Sequence, residues 1–537
     1  MAHDNPPPME PLKSLGWVCV GDAEMERDLR TLLPVLETLM QVRLSSGTQP
    51  SAVAIGRIAV PTSDTNPPPT SVPTLILPPT TIGRGIATIK KIRFADDPRV
   101  PWPFRARSLI VNANLDAEVH HTLGASGGIV LATDEHGAPL WTVDVGKPSS
   151  VHRTSLRPPH APTGSDAGLA VGNERFIQAL PLFQFLRELT RERSMANPPL
   201  RAGYIIDDPN LHWPTYGYAD YRRIAESART DRYHVAFATI PLDGWWVHSP
   251  TAAIFRASAG QLSLLIHGNN HAKHELAQDF SQHDCAALLR QAIGRIEQLE
   301  SKANLQVSRV MVPPHGACSS RMLSELPRQG FESACISAGS LRAHNPGQPW
   351  TRSLGIAPSE TVEGCAVLPR WAFAGTTDAV LLTAAYLGQP LILRGHHQDL
   401  KDGLRVLQGF AETINALGDV HWGNLTDLSR LNFRYRRDGA VMSVEPLGVH
   451  ARVAVPEGIN QIRIQSGHAD WKVIGPQAEV QRGDAGGTFD VKPGYTYSLI
   501  RTTPHATADA PRRTLPTSTK LIVRRILTET RDRLRVE

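Results

Sequence analysis

The chain of 537 residues is longer than a typical single domain, so we expect two to four domains. Its hydrophobic fraction of 41% and charged fraction of 20% are those of globular proteins, and a formal net charge of +5 is too dilute to predict nucleic-acid binding. The five cysteines form no C-x-x-C pair, which argues against a disulfide framework. We find neither a signal-peptide pattern nor an apolar run long enough to span a bilayer, and therefore expect a cytoplasmic protein without a membrane span. The sequence leaves the oligomeric state open.

Residues 1–172 are predicted to form an N-terminal α/β domain whose role the sequence does not indicate. Residues 17–20 have the pattern of a short buried strand, and the apolar residues that follow over 29–39 recur at helical spacing. Further strands are predicted at 109–111 and 129–132.

Residues 173–430 are predicted to form a second domain, in which strand and helix patterns alternate. A helix over 173–193 leads into it, and the clearest later helices lie at 289–299 and 400–417. The predicted strands are 202–206, 234–240, 262–266, 307–312, 334–337 and 391–393. Alternation on this scale predicts a parallel sheet, either open or closed into a barrel.

Residues 431–537 are predicted to form an all-β module, most simply a small β-sandwich, with a terminal helix at about 519–534. Short segments in which apolar and polar residues alternate are separated by turn residues such as Asp438-Gly439 and Pro493-Gly494. The basic stretch of the terminal helix, which begins at Arg524, is interpreted as a solvated helix face.

Polar clusters follow three of the strands predicted in the second domain. Asp207 and Asp208 follow the first strand, His267 and His271 follow the third, and residues 313–316, Pro-Pro-His-Gly, follow the fourth. The carboxyl ends of parallel strands meet at one edge of a sheet, where α/β barrels carry their chemistry. One carboxylate and two imidazoles are a suitable ligand set for Zn²⁺ or a similar divalent cation.

Simpler interpretations of the same residues stay open. Asp207-Asp208, followed by Pro209, is also typical of a turn that caps a helix. A single histidine at either position would usually be structural, whereas His267 and His271 are four residues apart, which on a helical turn places both on one face. The order of the clusters along the chain favours the metal site.

At these residues the chain resembles the polysaccharide deacetylase (NodB homology) family, over about residues 201–430. The family's motifs correspond to Asp207-Asp208, to the pair His267 and His271, to the Pro-Pro-His-Gly segment 313–316, and to a late Leu-x-His motif near His396. Several positions depart from the pattern, and the first is that Pro209-Asn210 follows the Asp-Asp pair where the family has Gly-Pro.

Two further departures lie in the second and third motifs. Gly268 stands where the second motif has a hydroxyl residue, and Val312 stands where the third motif has an arginine. Arg370 and Arg394 are the candidates to replace that arginine.

The resemblance implies a distorted (β/α) barrel that uses a divalent metal, with Zn²⁺ as the first expectation, to remove N-acetyl groups from an amino sugar or polysaccharide. Asp208, His267 and His271 would hold the metal, and Asp207 would be the general base that takes a proton from the attacking water. The expected partner is therefore a carbohydrate substrate.

The remaining roles implied by the resemblance concern the oxyanion and the leaving amine. The backbone N–H of His315 would help to hold the oxyanion, and His396 or His397 would protonate the amine. Asp399 is placed to orient whichever of these two imidazoles acts.

Two other classes of function remain open at this point. One is a different metal-dependent amide or ester hydrolase on the same scaffold, because a fold does not determine its reaction. The other is a non-catalytic carbohydrate-binding protein. Aromatic residues after the first two strands of the second domain would suit either sugar rings or internal packing; they are Trp213, Tyr216, Tyr218, Trp245 and Trp246.

Overall fold

A computed structural model describes most of the chain. The described residues are 16–20, 32–46, 54–59, 71–78, 86–118, 128–146, 149–159, 173–348, 354–466, 470–484, 486–502 and 519–534. Their contacts divide the chain into two compact units. The first unit takes the described residues of 1–195, 350–357 and 378–386, and the second unit takes the others.

The elements are numbered here in chain order. The strands are β1 Gly16–Val20, β2 Val42–Ser46, β3 Ala54–Ala59, β4 Thr74–Ile76, β5 Ile86–Phe94, β6 Ser108–Glu118, β7 Ile129–Thr133, β8 Pro139–Val145, β9 Ser150–Thr154, β10 Arg201–Asp207, β11 Thr215–Tyr216, β12 Ala219–Asp220, β13 Val235–Thr239, β14 Leu262–Ile266, β15 Val307–Met311, β16 Ser333–Cys335, β17 Glu360–Val362, β18 Cys365–Leu368, β19 Trp371–Ala372, β20 Leu391–His396, β21 His421–Trp422, β22 Phe433–Asp438, β23 Val441–Pro446, β24 His450–Ala454, β25 Gln461–Ile464, β26 Trp471–Ile474, β27 Val480–Gly483, β28 Thr488–Asp490 and β29 Thr496–Arg501. The helices are α1 Leu33–Met40, α2 Phe176–Thr190, α3 Tyr221–Thr230, α4 Ser249–Ala257, α5 Gln282–Ala303, α6 Ser320–Glu325, α7 Ala338–Ala343, α8 Asp378–Tyr386, α9 Arg405–Asn415, α10 Leu425–Arg430 and α11 Thr519–Leu534.

The first unit contains one mixed sheet with helices against it. Its strand order is β2-β1-β3-β4-β9-β8-β7-β5-β6, with parallel neighbours from β2 to β9 and antiparallel neighbours from β9 to β6. Helix α2 is apolar on most of its circumference and is buried over most of its length. The sequence assigned this helix to the start of the second domain. The structure places it in the first unit, because its many apolar residues are buried there.

The second unit contains a curled sheet whose strands alternate with helices. The strand order is β17-β18-β16-β15-β14-β13-β10-β20-β19, and β21 also pairs with β10. The neighbours are parallel except for β17 and β18. Strands β17 and β19 end this order without pairing with each other, so the sheet forms a half-barrel rather than a closed barrel. The distorted (β/α) barrel expected from the sequence is confirmed only to this extent.

One side of the curled sheet carries an apolar core that holds the strands in register. Its buried members are Ile205, Ala236, Ala238, Leu265, Val310, Val312, Cys335, Leu368, Ile392, Leu425 and Leu428. Alternate residues of a strand face the same side of a sheet, so Asp207, two residues after Ile205, faces the side that this core occupies. The core therefore sets the direction of the polar side chains at the carboxyl ends of the strands.

Eight strands after residue 432 form two further sheets. Their orders are β22-β23-β25-β28 and β24-β29-β26-β27, and buried residues of both, including Val444, Trp471 and Leu499, belong to one apolar cluster. The predicted all-β module thus consists of two four-stranded sheets with a shared core, and its assignment as a sandwich stays a prediction. Helix α11 occupies the predicted range, and no helix among the described residues combines the length and apolarity needed to cross a bilayer.

Replacing Leu265 by alanine should lower the free energy of unfolding by about 2–5 kcal/mol, because it removes a fully buried side chain from the core of the curled sheet. The measurement is equilibrium unfolding in denaturant. Leu527→Ala is the control, since Leu527 is 64% exposed and its loss should change the unfolding free energy by no more than about 0.5 kcal/mol. Equal effects of the two substitutions would contradict the assignment of this core.

Candidate metal centre

The polar clusters identified in the sequence lie at the carboxyl ends of neighbouring parallel strands. Asp207 ends β10, His267 directly follows β14, and His396 ends β20. Strand β13 lies between β14 and β10, and β20 lies on the other side of β10. The sheet order therefore brings together residues that are nearly 190 positions apart in the chain.

Asp208, His267 and His271 converge on one point. One ligand atom from each lies within 4.8 Å of those of the other two. The Asp208 carboxylate is 3.1 Å from Nε2 of His271 and 3.6 Å from Nε2 of His267. The proximity expected for a metal site is present in the structure.

The means by which the two histidines meet differs from the prediction. The sequence interpretation placed them on one face of a helical turn, but residues 267–281 form an irregular loop and α5 begins only at Gln282. The left-handed backbone of His271, at φ 53°, turns its side chain back towards His267. The helical-turn interpretation was wrong because loop turns, rather than a helical period, bring the rings to a centroid distance of 5.1 Å.

The protonation states of these groups suit a cation. Nδ1 of His267 lies 2.9 Å from the carbonyl oxygen of Val312, which can only accept a hydrogen bond, so Nδ1 carries the proton and Nε2 presents its lone pair to Asp208. Burial lowers the pKa of His267 to about 4, so the ring is neutral at neutral pH. Burial by itself raises the pKa of Asp208, but the hydrogen bond with His271 and the positive charge of Arg525 outweigh it and keep that pKa well below its ordinary value. A carboxylate and a neutral imidazole lone pair that face each other fit a shared divalent cation.

A carboxylate that the sequence analysis did not single out holds the histidine loop in place. Glu275 accepts hydrogen bonds from the backbone N–H groups of Asn269, Asn270 and His271 at 2.8, 3.0 and 2.9 Å. The spacing of Glu275 from His271 could have suggested a loop cap, but nothing in the sequence pattern identifies its backbone partners.

Gly268 is required by the packing of this loop. Its φ is 64°, and a Cβ at this position would lie 2.5 Å from a carboxylate oxygen of Glu275 and 2.7 Å from Cγ of Pro314. No side chain fits there without displacing one of these neighbours. The departure from the family's hydroxyl residue therefore has a steric cause.

Asp207 is buried beside an arginine from the segment that joins β18 to β19. Its carboxylate lies 3.5 Å from Nη1 of Arg370, and both side chains are almost completely buried. Of the two candidate replacements for the arginine of the third motif, Arg370 makes this contact, whereas Arg394 forms no ion pair among the described residues. Arg370 therefore supplies a positive charge beside the Asp207 carboxylate.

The Pro-Pro-His-Gly segment forms a 3₁₀ turn, Pro314–Gly316, after β15. His315 has a left-handed backbone at φ 59° and an exposed side chain. Its ring lies 5.1 Å from the ring of His271 and 5.6 Å from that of His274. The structure thus places His315 beside the three converging ligands.

His396 and His397 occupy different environments at the end of β20. His396 is paired in register with Asp207 and is partly exposed. His397 is 2% exposed, and its Nε2 lies 3.8 Å from a carboxylate oxygen of Asp532 in α11. Asp399 was expected to orient one of these imidazoles, but its carboxylate instead accepts a hydrogen bond from the backbone N–H of His396 at 2.8 Å.

The aromatic residues near the site divide into two groups. Tyr216 is buried and packs against His397, whereas Trp213 and Trp245 are exposed. Trp246 lies between the two exposed rings, at centroid distances of 5.6 and 6.3 Å. Packing therefore accounts for Tyr216, and the tryptophans offer an exposed aromatic surface.

The interpretation of the terminal basic stretch as a solvated face was wrong for Arg525. Its side chain is buried and forms an ion pair with Asp243 at 2.6 Å. The charge pattern did not reveal this contact, because the partner lies 282 residues earlier in the chain.

Comparisons with known proteins give remote likenesses only. No family model matches the chain, and no curated protein is similar enough to count as a relative. A family 4 carbohydrate esterase from Streptomyces lividans in complex with acetate is 13% identical over 42% of this chain and 94% of that chain, with a TM-score of 0.27. A CE4 esterase from Streptococcus mutans is 12% identical over 42% of this chain and 87% of that chain, with a TM-score of 0.26. The catalytic domain of peptidoglycan N-acetylglucosamine deacetylase from Eubacterium rectale is 10% identical over 43% of this chain and 92% of that chain, with a TM-score of 0.24. Because these TM-scores lie below 0.5, the functional argument rests on the side chains alone.

Replacing Gly268 by serine, which would restore the hydroxyl residue of the family motif, should weaken metal binding by about 10-fold or more, because the new Cβ would displace Glu275 or Pro314. It should also lower the unfolding free energy by about 1–3 kcal/mol. Titration calorimetry and denaturant unfolding measure the two effects. Gly294→Ala in α5 is the control, since nothing lies within 4 Å of its Cβ, and we expect a stabilisation of about 0.5–1 kcal/mol.

Proposed function

We propose that this protein is a metal-dependent hydrolase that removes N-acetyl groups from an amino sugar or polysaccharide. The observation that carries the proposal is the convergence of Asp208, His267 and His271 beside a second buried carboxylate, Asp207. The choice of an N-acetylated carbohydrate rests on the resemblance of the ordered motifs to those of polysaccharide deacetylases.

Asp208, His267 and His271 would hold a divalent cation, with Zn²⁺ as the first expectation. When bound, such a cation supplies Lewis-acid polarisation of the substrate carbonyl and makes water more acidic. His271 and Asp208 keep part of their side chains accessible. A substrate can therefore approach the centre.

Asp207 is the proposed general base. It directly precedes Asp208 in the chain, and its carboxylate, the type of group that can accept a proton from water, lies 3.5 Å from Nη1 of Arg370. The same arginine restricts the orientation of the carboxylate. In this way Arg370 takes the role that the family assigns to the arginine of the third motif.

His396 is the better placed of the two histidines to protonate the leaving amine. It is partly exposed and is paired in register with Asp207, so both side chains project to the same face of the sheet. His397 is buried against Tyr216 and Asp532, and we assign it a supporting role. His315 would contribute its backbone N–H to the oxyanion, as the resemblance implies.

The two other classes of function make different predictions. A different metal-dependent amide or ester hydrolase would use the same centre but would release no acetate from N-acetylglucosamine oligomers. A non-catalytic carbohydrate-binding protein would show carbohydrate binding that does not depend on the three converging residues.

The purified protein should contain about one equivalent of divalent metal, and Asp208→Ala and His271→Ala should each lose most of it, because two remaining protein ligands bind a cation poorly. Inductively coupled plasma mass spectrometry measures the content. His283→Ala is the matched control, since His283 is solvent-exposed and should leave the content unchanged. Metal retained by both site variants would contradict the assigned ligands.

Asp207→Asn should reduce acetate release from N-acetylglucosamine oligomers by about 10²–10⁴-fold while the metal content stays at the wild-type level, because the amide cannot accept the proton. His396→Ala should reduce the rate more than His397→Ala does. Wild-type activity in Asp207→Asn would rule out this carboxylate as the base, and no acetate release by the wild-type protein would favour the other hydrolase class.

A further inference from the structure

Helix α11 buries charged residues and exposes apolar ones. Val523, Ile526 and Leu527 are 49%, 47% and 64% exposed, whereas Arg525 and Asp532 are 8% and 5% exposed. Arg525, Glu529 and Asp532 follow one another at spacings of four and three residues, which places them on a single face of the helix. The helix therefore packs against the rest of the unit through charged side chains, and the partners of these side chains indicate its role.

Arg525 anchors the helix to the loop that follows β13. Its guanidinium donates to both carboxylate oxygens of Asp243, at 2.6 and 3.2 Å. Both side chains are buried, and a two-point contact of this kind orients as well as binds. Burial by itself lowers the pKa of Arg525, but the charge of Asp243 and its hydrogen bonds outweigh burial and raise that pKa.

Glu529 holds the loop that follows the metal carboxylate. It accepts a hydrogen bond from the side-chain amide of Asn210 at 3.1 Å and contacts Nδ1 of His212 at 2.8 Å. Nε2 of His212 lies 2.9 Å from the backbone carbonyl oxygen of Asp243, so this ring links the two anchoring contacts. Asn210 and His212 come two and four residues after Asp208.

Asp532 reaches the far end of the same loop. Its carboxylate lies 3.5 Å from the hydroxyl of Tyr216 and 3.8 Å from Nε2 of His397. The ring of His397 lies over Gly217, where a Cβ would come within 2.1 Å of Nδ1. The helix thus contacts both ends of the segment 210–216.

The backbone at Asp208 needs such support. Its φ of 85° is unusual for a residue with a side chain, and a conformation of this kind persists only when its surroundings hold it. The helix does not cover the converging ligands, since Asp208 and His271 stay partly accessible. It contacts the loop that follows Asp208 and leaves these two ligands partly accessible.

We propose that α11 is a structural part of the metal centre, in which Arg525, Glu529 and Asp532 are positioning residues that hold the segment 208–218 in the conformation needed for metal binding. This inference rests on the proposed function, because it assigns a role toward the metal held by Asp208. It predicts that residues more than 300 positions after Asp208 determine the metal affinity.

The test compares two adjacent arginines of the full-length protein. Arg525→Gln should weaken Zn²⁺ binding by about 10–100-fold in calorimetry, the range typical of residues that support a metal ligand. Backbone amides of residues 208–220 should also exchange hydrogen faster in the metal-free protein. Arg524→Gln, on the exposed side of the same helix, should change neither quantity.

Two further variants distinguish positioning from a loss of folding. Glu529→Gln keeps the size of the side chain and should still weaken Zn²⁺ binding, whereas Arg525→Lys should recover part of the affinity lost in Arg525→Gln because it keeps the charge but not the two-point contact. Thermal unfolding checks that each variant is folded.

Wild-type Zn²⁺ affinity and wild-type exchange in folded Arg525→Gln and Glu529→Gln would overturn the inference, as would an equal loss of affinity in Arg524→Gln. These measurements of affinity and amide exchange do not depend on whether the protein catalyses the proposed reaction. If the wild-type protein binds Zn²⁺ but releases no acetate, the deacetylase proposal fails while the role of α11 is still decided by affinity. If it binds no Zn²⁺, the amide exchange of 208–220 decides that role.

Discussion

The site depends on the repulsion between a carboxylate and an imidazole lone pair, which a bound cation would remove. The carboxylate of Asp208 and the lone pair of His267 face each other at 3.6 Å, and the hydrogen bond from Nδ1 of His267 to Val312 prevents the ring from turning its proton toward the acid. Nε2 of His271 lies 3.1 Å from the same carboxylate. The carboxylate and the lone pair of His267 repel each other unless a positive charge lies between them.

The backbone around these ligands carries unusual conformations in a small region. Asp208, His271 and His315 all have positive φ, and each is a residue with a side chain that disfavours it. Glu275 supports the histidine loop through three backbone N–H groups, and α11 supports the loop after Asp208. Strain of this kind, held by contacts from several elements, is typical of functional sites.

The repeating patterns of the sequence were sufficient to predict the central parallel strands of the second unit. The strands expected at 202–206, 262–266 and 307–312 occur as β10, β14 and β15 with ends that differ by no more than one residue. Long apolar runs that end in polar clusters define buried parallel strands well, because burial on both faces leaves few other choices. The short strands β17, β18 and β19 were not predicted, since two to four residues carry too little periodicity.

The closure of the sheet could not be read from the sequence either. A β/α alternation is compatible with both an open sheet and a barrel, and the choice depends on how the end strands meet. Here β17 turns antiparallel onto β18 and does not pair with β19, which leaves a half-barrel. The boundary of the first unit was likewise decided by packing, which placed α2 with the first sheet.

The sequence by itself determined which side chains are candidates for metal ligation and where along the chain they lie, because such a site needs carboxylate and imidazole groups that follow neighbouring strands. Asp208, His267 and His271 were therefore identifiable in advance. Only the tertiary structure showed that Arg370 adjoins Asp207, that the Asp399 carboxylate accepts from the backbone N–H of His396, and that α11 contacts the loop after Asp208. These contacts join residues that no periodic pattern relates, and their distances depend on how loops and a distant helix fold against the sheet.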